Sequence, residues 1–428
     1  MIFNSKKEKF FFYDFPVILF TLIPLFLITG PFLSDLSISL ISILFLLYCY
    51  KKKNFSYLKN NYFYFFLFFW GYLLFNSLIN NFNFDSLKIS FFYFRYGIFV
   101  FAIVALLNVD DKFIKYFFYS IFICFVALIF TGFYEYFYSK DNFHRVSSFF
   151  GDEEILGSYL SRLWPIFFGL SIFIYKQKNK IFYFFILIFI LSEALIFLSG
   201  DRAPFFLINL SAIFVILFSK NLLKLRLLTL LSSILLIVII SYFNPTAKER
   251  VINQTLTQMN LIDVDRGDLT IPSDIPEYDG MYAFTKSHTH KYITAYKMFL
   301  DNKFLGVGVK NFRIFCSDKK YHVSGFSCST HPHNTYFQIL SETGIIGFLF
   351  LITTLIYFCV YMAKHLYLKL KIKKLYFSDF EICVLSGLAI YLWPFVPTGS
   401  FFNNWLNIAM ILNLPFLIWS RNLNKLKN

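Results

Sequence analysis

The sequence predicts an all-α polytopic membrane protein, a bundle of about 12 transmembrane helices with one long outer loop between the ninth and the tenth. Three observations predict it. At 57% hydrophobic and 15% charged residues, with 63 Phe in 428 positions, the chain is too apolar for a soluble domain of its length. The apolar runs do not alternate with polar residues, which excludes the strands of a membrane barrel. Basic residues follow every second run, the signature of segments that cross a bilayer in alternating directions.

Runs long enough for a hydrocarbon core of ~30 Å cover 14–33, 36–50, 61–80, 91–107, 113–137, 156–175, 181–199, 203–219, 227–243, 336–363, 379–398 and 401–420. The first lacks a small-residue cleavage site and reads as the first span, so no cleavable signal peptide is expected. Lys6, Lys7 and Lys9 precede it, and Lys51–Lys53, Lys112 and Lys115, and Lys176, Lys178 and Lys180 follow the second, fourth and sixth. Lys220, Lys224 and Arg226, then Lys369, Lys371, Lys373 and Lys374, then Arg421, Lys425 and Lys427 continue the pattern. Both termini of this multi-pass chain are therefore expected in the cytoplasm, with the 244–335 insert outside. The expected divisions are 1–243 (helices one to nine), 244–335 (a periplasmic loop) and 336–428 (helices ten to twelve and a cytoplasmic tail). The net charge of +15 belongs to these anchors and points to membrane lipid, not to nucleic acid.

The 244–335 insert is near-neutral and holds five of the seven histidines, His288, His290, His322, His331 and His333. Its 253–282 portion, with Pro272, Pro276 and scattered Asp, reads as irregular. From His288 on, Ile293, Tyr296, Phe299 and Leu300 recur at helical spacing, which predicts an amphipathic helix at the membrane surface. The run GVGVKNF, 306–312, would end it in a turn. Cys316 and Cys328, the insert's only cysteines, suit a disulfide closing a loop of about a dozen residues. A metal site built from them with His322, His331 and His333 lacks the usual zinc spacing, and Asp263-x-Asp265 alone is a weak signal, so neither metal nor cofactor is expected.

The stretch HPHNTYFQILSETGIIG, 331–347, places titratable groups where the insert re-enters apolar sequence. An intramembrane or interfacial ionisable group is costly without a task. His333, its approach set by Pro332, is the candidate general base, since an imidazole suits removal of a proton from a sugar hydroxyl; the alternative is a histidine that only anchors the helix end. His331 and Asn334 are supporting candidates. Glu342, on the face opposite His333, is expected to pair with a basic residue of another helix.

Arg202 lies in SGDRAPF, 199–205, the short connection between helices seven and eight. Its planar fork suits a diphosphate, and an Asp201–Arg202 pair capping the turn is the alternative. HRVSSFFGDEEILGSYLSRLWP, 144–165, adds Arg145, Asp152, Glu153 and Arg162. For Arg162, one turn inside helix six, phosphate binding and a salt bridge to Asp152 or Glu153 are both open. Arg95 is unassigned. Outside the inner membrane there is no ATP, so a transferase there needs a donor carrying its own leaving group, such as a polyprenyl diphosphate-linked glycan. Arginines would neutralise the departing diphosphate.

HPHNTYFQILSETGIIGF, 331–348, with its His-Asn…Glu-x-Gly-x-x-Gly pattern, and SGDRAPF resemble the O-antigen ligase and O-antigen polymerase superfamily of bacterial envelope glycan assembly. FLDNKFLGVGVKNFR, 299–313, is similar to its loop segment ahead of the histidine. The resemblance implies a metal-independent glycosyltransferase with His333 as catalytic base and Arg202 on the diphosphate. In the region where many ligases carry a further loop arginine, this chain has SHTHKYITAYKMF, offering His288, His290 and Lys291. Lipid A–core or another glycan would accept, and a polymerase would work with a chain-length regulator. The rival class is a transporter or flippase of lipid-linked sugars, which should show paired half-repeats or charges along a central pathway.

Overall fold

The computed structural model describes residues 1, 3–80, 83–138, 145–153, 155–175, 179–221, 223–259 and 283–427. All regular structure among these residues is helical. The protein is an all-α polytopic membrane protein: eight of the described helices are long and apolar enough to cross a bilayer, and two shorter apolar ones cover Tyr183–Ser199 and Arg202–Phe218.

The helices that matter here are α1 (Phe15–Thr29), α2 (Pro31–Lys51), α3 (Asn61–Ile79), α4 (Phe84–Phe92), α5 (Phe94–Leu107), α6 (Phe113–Tyr138), α7 (Leu156–Tyr175), α8 (Asn179–Ser199), α9 (Arg202–Phe218), α10 (Leu223–Phe243), α11 (Lys286–Asp301), α12 (Thr335–Tyr367), α13 (Asp379–Leu392), α14 (Asn404–Ile411) and α15 (Asn413–Lys427). The centre of the bundle is made by α7, α9 and α13, each packed on the other two. Gly157 permits this at one end of α7, because a Cβ there would meet Asp201 and Pro204 at the start of α9. Outward-facing positions such as Phe68, Phe130 and Leu235 stay exposed, as a lipid-facing surface requires. Arg95 is accounted for within this scaffold: its Nε and Nη2 donate to Asp35 at 3.0 and 2.5 Å.

The structure differs from the hydropathy reading in three places. The run 379–398 is helical only to Leu392, because Pro394 and Pro397 cannot continue a helix, and residues 393–403 form an irregular strap. The segment 253–258, expected to be irregular, belongs to helix: Pro245–Lys248, Glu249–Asn253 and Gln254–Gln258 form a new helical stretch, capped by Asn244 after α10 ends at Phe243. The rest of that region, with Asp263, Asp265, Pro272 and Pro276, lies outside the described residues.

The third difference concerns α12, whose helix is interrupted at Gly344, with φ +63° and ψ −167°. The interruption frees backbone groups, and the segment 303–308 takes them: Val307 N–H donates to Ser341 at 2.8 Å, Gly308 N–H to Glu342 at 2.9 Å, and Ile345 N–H to the Lys303 carbonyl at 2.8 Å. Asn76 of α3 in turn donates to the Leu305 carbonyl at 2.6 Å. The GVGV run therefore does more than end a helix; it is wedged into the break in α12. A Cβ on Gly306 or Gly344 would collide with the opposing backbone, so glycine is needed on both sides of the wedge.

Candidate functional site

Helix α11 is amphipathic, as its spacing predicts, but it uses two faces. Tyr292, Ala295 and Met298 are buried against the protein, Tyr292 stacked on Phe337 at 4.8 Å, while Tyr296 and Leu300 of the expected stripe are exposed. The loop that follows is closed by a Cys316–Cys328 disulfide with its Cα atoms 5.1 Å apart. Arg313 donates to the Thr330 carbonyl at 3.1 Å. Together these ties hold the short segment that leads into α12.

That segment is strained. His333 has φ +59°, a left-handed conformation that non-glycine residues avoid and that persists only where surroundings impose it. The imposing contacts come from the strap after α13. Thr398 N–H donates to the His333 carbonyl at 2.8 Å, Asn334 Nδ2 to the Pro394 carbonyl at 2.8 Å, and Tyr336 Oη to the Leu392 carbonyl at 2.5 Å. Asn334 also caps α12, its Oδ1 accepting the N–H of Tyr336 at 2.9 Å and of Phe337 at 3.2 Å.

Three histidines converge here. The His333 ring lies 4.2 Å from the His331 ring and 5.5 Å from that of His288. His331 Nε2 faces the Thr398 carbonyl at 3.2 Å and so carries the proton, leaving Nδ1 to accept from the Thr330 hydroxyl at 2.9 Å. Both of its nitrogens are engaged. His288 Nδ1 is 2.7 Å from Thr285 Oγ1. Among the described residues the His333 ring makes no hydrogen bond, so its nitrogens are unengaged. Burial holds all three rings neutral, His333 pushed down to about 3 and His331 and His288 to about 4. The charges bearing on the three are cationic: Lys291 on all of them, Arg202 on His288, and Arg313 and Lys310 on His331.

Lys291 is buried, and its Nζ donates to Ser287 Oγ at 2.6 Å; burial lowers its pKa. Arg202 opens α9 and donates from Nη1 to Gln258 Oε1 at 2.7 Å, a neutral partner, and no carboxylate pairs with it among the described residues. Arg145 lies near enough to Arg202 to repel it. Thus His333, His331, Asn334, Arg202 and Arg145 occupy one end of the bundle. His288, Lys291, Gln258 and Thr398 join them without having been singled out as site residues. SHTHK already named two of these, but only helical phase decides which of its members face His333.

Other assignments change. His290, two residues from His288 and so on another face of α11, turns to Ser324 Oγ at 2.6 Å and not to His333. Glu342, fully buried, has no basic partner among the described residues; its oxygens accept from Phe312 N–H at 3.2 Å and Gln338 Nε2 at 3.0 Å. The wedge of 303–312 supplies backbone donors where a cation was expected, and Gln338 extends the chain to Ser400 Oγ at 3.0 Å. The salt bridge open to Arg162 does not form: Asp152 and Glu153 are exposed on the turn Ser148–Glu153, while Arg162 is 3% exposed inside α7. No group of three or more His, Cys, Asp or Glu among the described residues is arranged to hold a metal ion.

Fold and site together define a class: a multi-pass helical membrane protein with a neutral histidine cluster beside cations at one end. Residues 183–352 match the family model described as O-antigen ligase. The match contains Arg202, Lys291 and His333 and supports the O-antigen ligase and polymerase superfamily that SGDRAPF and HPHNTYFQILSETGIIGF resemble. Arg145, Arg162 and Thr398 lie outside it. No curated protein matches the chain.

Proposed function

We propose that the protein is a glycosyltransferase of the inner membrane that moves or polymerises glycan from a polyprenyl diphosphate carrier at the periplasmic face, with both termini in the cytoplasm. The observation that carries this is an unengaged, neutral His333 in a histidine cluster on which Lys291 and Arg202 act, with Arg145 beside Arg202 and, among the described residues, no carboxylate acting on the rings. Such a place suits an anion beside a hydroxyl to be deprotonated. His333 takes the proton from the acceptor hydroxyl, the oxygen attacks the anomeric carbon, and the bond from that carbon to the diphosphate oxygen breaks. The polyprenyl diphosphate leaves with its charge neutralised by the cations, and His333 returns its proton to water. His331 and Thr398 position His333. The arriving diphosphate also offsets the cations that disfavour an imidazolium, so the base strengthens when donor is bound.

A flippase is the second reading. Against it, the cationic and titratable groups described above gather at one end of the bundle.

The test is glycan transfer in proteoliposomes with polyprenyl diphosphate-linked oligosaccharide, with and without lipid A–core. Transfer only with lipid A–core identifies a ligase, and elongation without it a polymerase. His333→Ala should lower turnover by roughly 10²–10⁴-fold. Transfer that survives both His333→Ala and Arg202→Ala unchanged refutes the site, and absence of transfer in every arm favours the flippase.

A further inference from the structure

We propose that Arg162 is a second, inner phosphate position, through which the protein distinguishes a diphosphate carrier from a monophosphate one; this rests on the donor reading above. Arg162 is 3% exposed, and its Nε and Nη1 have no hydrogen-bond partner. Its guanidinium lies 4.6 Å from the centre of the Tyr391 ring. Stacking on an aromatic face recovers only part of what a buried cation loses in hydration. Among the described residues no anion pairs with this guanidinium, and its fork matches phosphate oxygens.

The position fits the site already described. Arg162 lies less than two turns into α7, and the first turn of that helix packs at Gly157 on Asp201 and Pro204, the turn that carries Arg202. Tyr391 immediately precedes Leu392, the residue whose carbonyl holds Tyr336, and Asn334 binds Pro394 on the same strap. Arg162 is thus on the helix that packs on the turn of Arg202, and its ring partner Tyr391 closes the helix that leads into the strap holding His333. Arg202, Arg145 and Lys291 surround the phosphate next to the reacting sugar, and Arg162 takes the other. When the bond from the anomeric carbon to oxygen breaks, its electron pair stays on the departing diphosphate, and a cation on each phosphate stabilises the added charge.

The experiment measures binding of polyprenyl diphosphate and polyprenyl monophosphate to the purified full chain, with thermal unfolding as a parallel readout. Wild type should prefer the diphosphate by about tenfold or more, the effect of one charge-assisted pair. Arg162→Gln should bring the two carriers to within about twofold of each other by weakening only the diphosphate. Arg162→Lys should keep part of the preference, and Arg202→Gln should weaken both carriers. An unchanged preference in Arg162→Gln, whatever happens to the ligand-free melting temperature, overturns the proposal and leaves Arg162 structural. Should Arg162→Gln fail to fold, Tyr391→Leu, which removes the ring that orients the guanidinium, must lower the preference or the proposal falls. Vesicles of anionic phospholipid without carrier provide the last arm: if they stabilise wild type, Arg162→Gln removes that effect and the carrier preference is intact, the anion is a lipid headgroup and the proposal is wrong. A wild type that binds neither carrier refutes the donor reading itself.

Discussion

The N–H of Thr398 donates to the carbonyl of His333 at 2.8 Å, while the carbonyl of Thr398 faces Nε2 of His331 at 3.2 Å. One residue on the strap after α13 thus holds the backbone of the candidate base and fixes the tautomer of its neighbour. The tie uses main-chain atoms, so it predicts a split between two substitutions. Thr398→Ala keeps both backbone groups and should leave glycan transfer within about threefold of wild type; Thr398→Pro removes the donor and should lower it by at least about tenfold. Equal activity of the two proteins would show that His333 is held by other means.

The histidine cluster predicts how stability depends on pH. In the folded protein His333 is lowered to about 3 and His331 and His288 to about 4, whereas an unfolded chain titrates near ~6.5. Between those values the unfolded state binds more protons, so stability rises with pH through this window. The contribution is fully present above about pH 6.5 and is lost as pH falls toward 4. Melting temperatures measured from pH 8 to pH 4.5 should be flat and then decline, and His288→Gln should soften the decline. The acid limb of kcat should lie at higher pH than that of kcat/KM, because bound diphosphate raises the proton affinity of His333.

The Cys316–Cys328 bond closes a loop with a sequence separation of 12. In the chain-entropy model such a crosslink contributes about 3 kcal/mol. Cys316→Ser with Cys328→Ser should lower the melting temperature under non-reducing conditions, and dithiothreitol should lower wild type toward the double variant. Coincident wild-type curves with and without reductant would refute a stabilising bond.

At Gly344 the requirement is doubly steric: φ is +63°, and an added Cβ would meet the Phe304 carbonyl. Gly344→Ala should destabilise by at least about 1–3 kcal/mol, the usual cost of forcing a side chain into such backbone. It should also loosen the 303–308 wedge, read as faster hydrogen exchange at Val307 and Gly308. Exchange at wild-type rates there would mean that the wedge does not depend on the break in α12.

Hydropathy was enough to show a many-helix membrane protein, because a bilayer demands long apolar segments whatever packs beside them; of the twelve spans it predicts, eight described helices have the length and composition to cross. It misjudged α13 because Pro394 and Pro397 sit in apolar surroundings, where composition says span and backbone chemistry says stop. Glu342 was legible as a buried acidic group needing partners, but these are the Phe312 N–H, contributed by a distant loop, and Gln338 of its own helix, not a cation. Of SHTHKYITAYKMF, the sequence could say that histidines were present; the phase of α11 against α12 turns His288 inward and sends His290 to Ser324.

From the sequence alone came the class, the membrane placement and the two motifs that carry His333 and Arg202, since each depends on local composition or on a short pattern. The tertiary structure decided which cations surround the histidines, that Arg162 has no carboxylate partner among the described residues, and that the strap at Thr398 sets the conformation of His333. Those facts depend on groups far apart in the chain, and a pattern of residues does not encode the distance between them until the helices have packed.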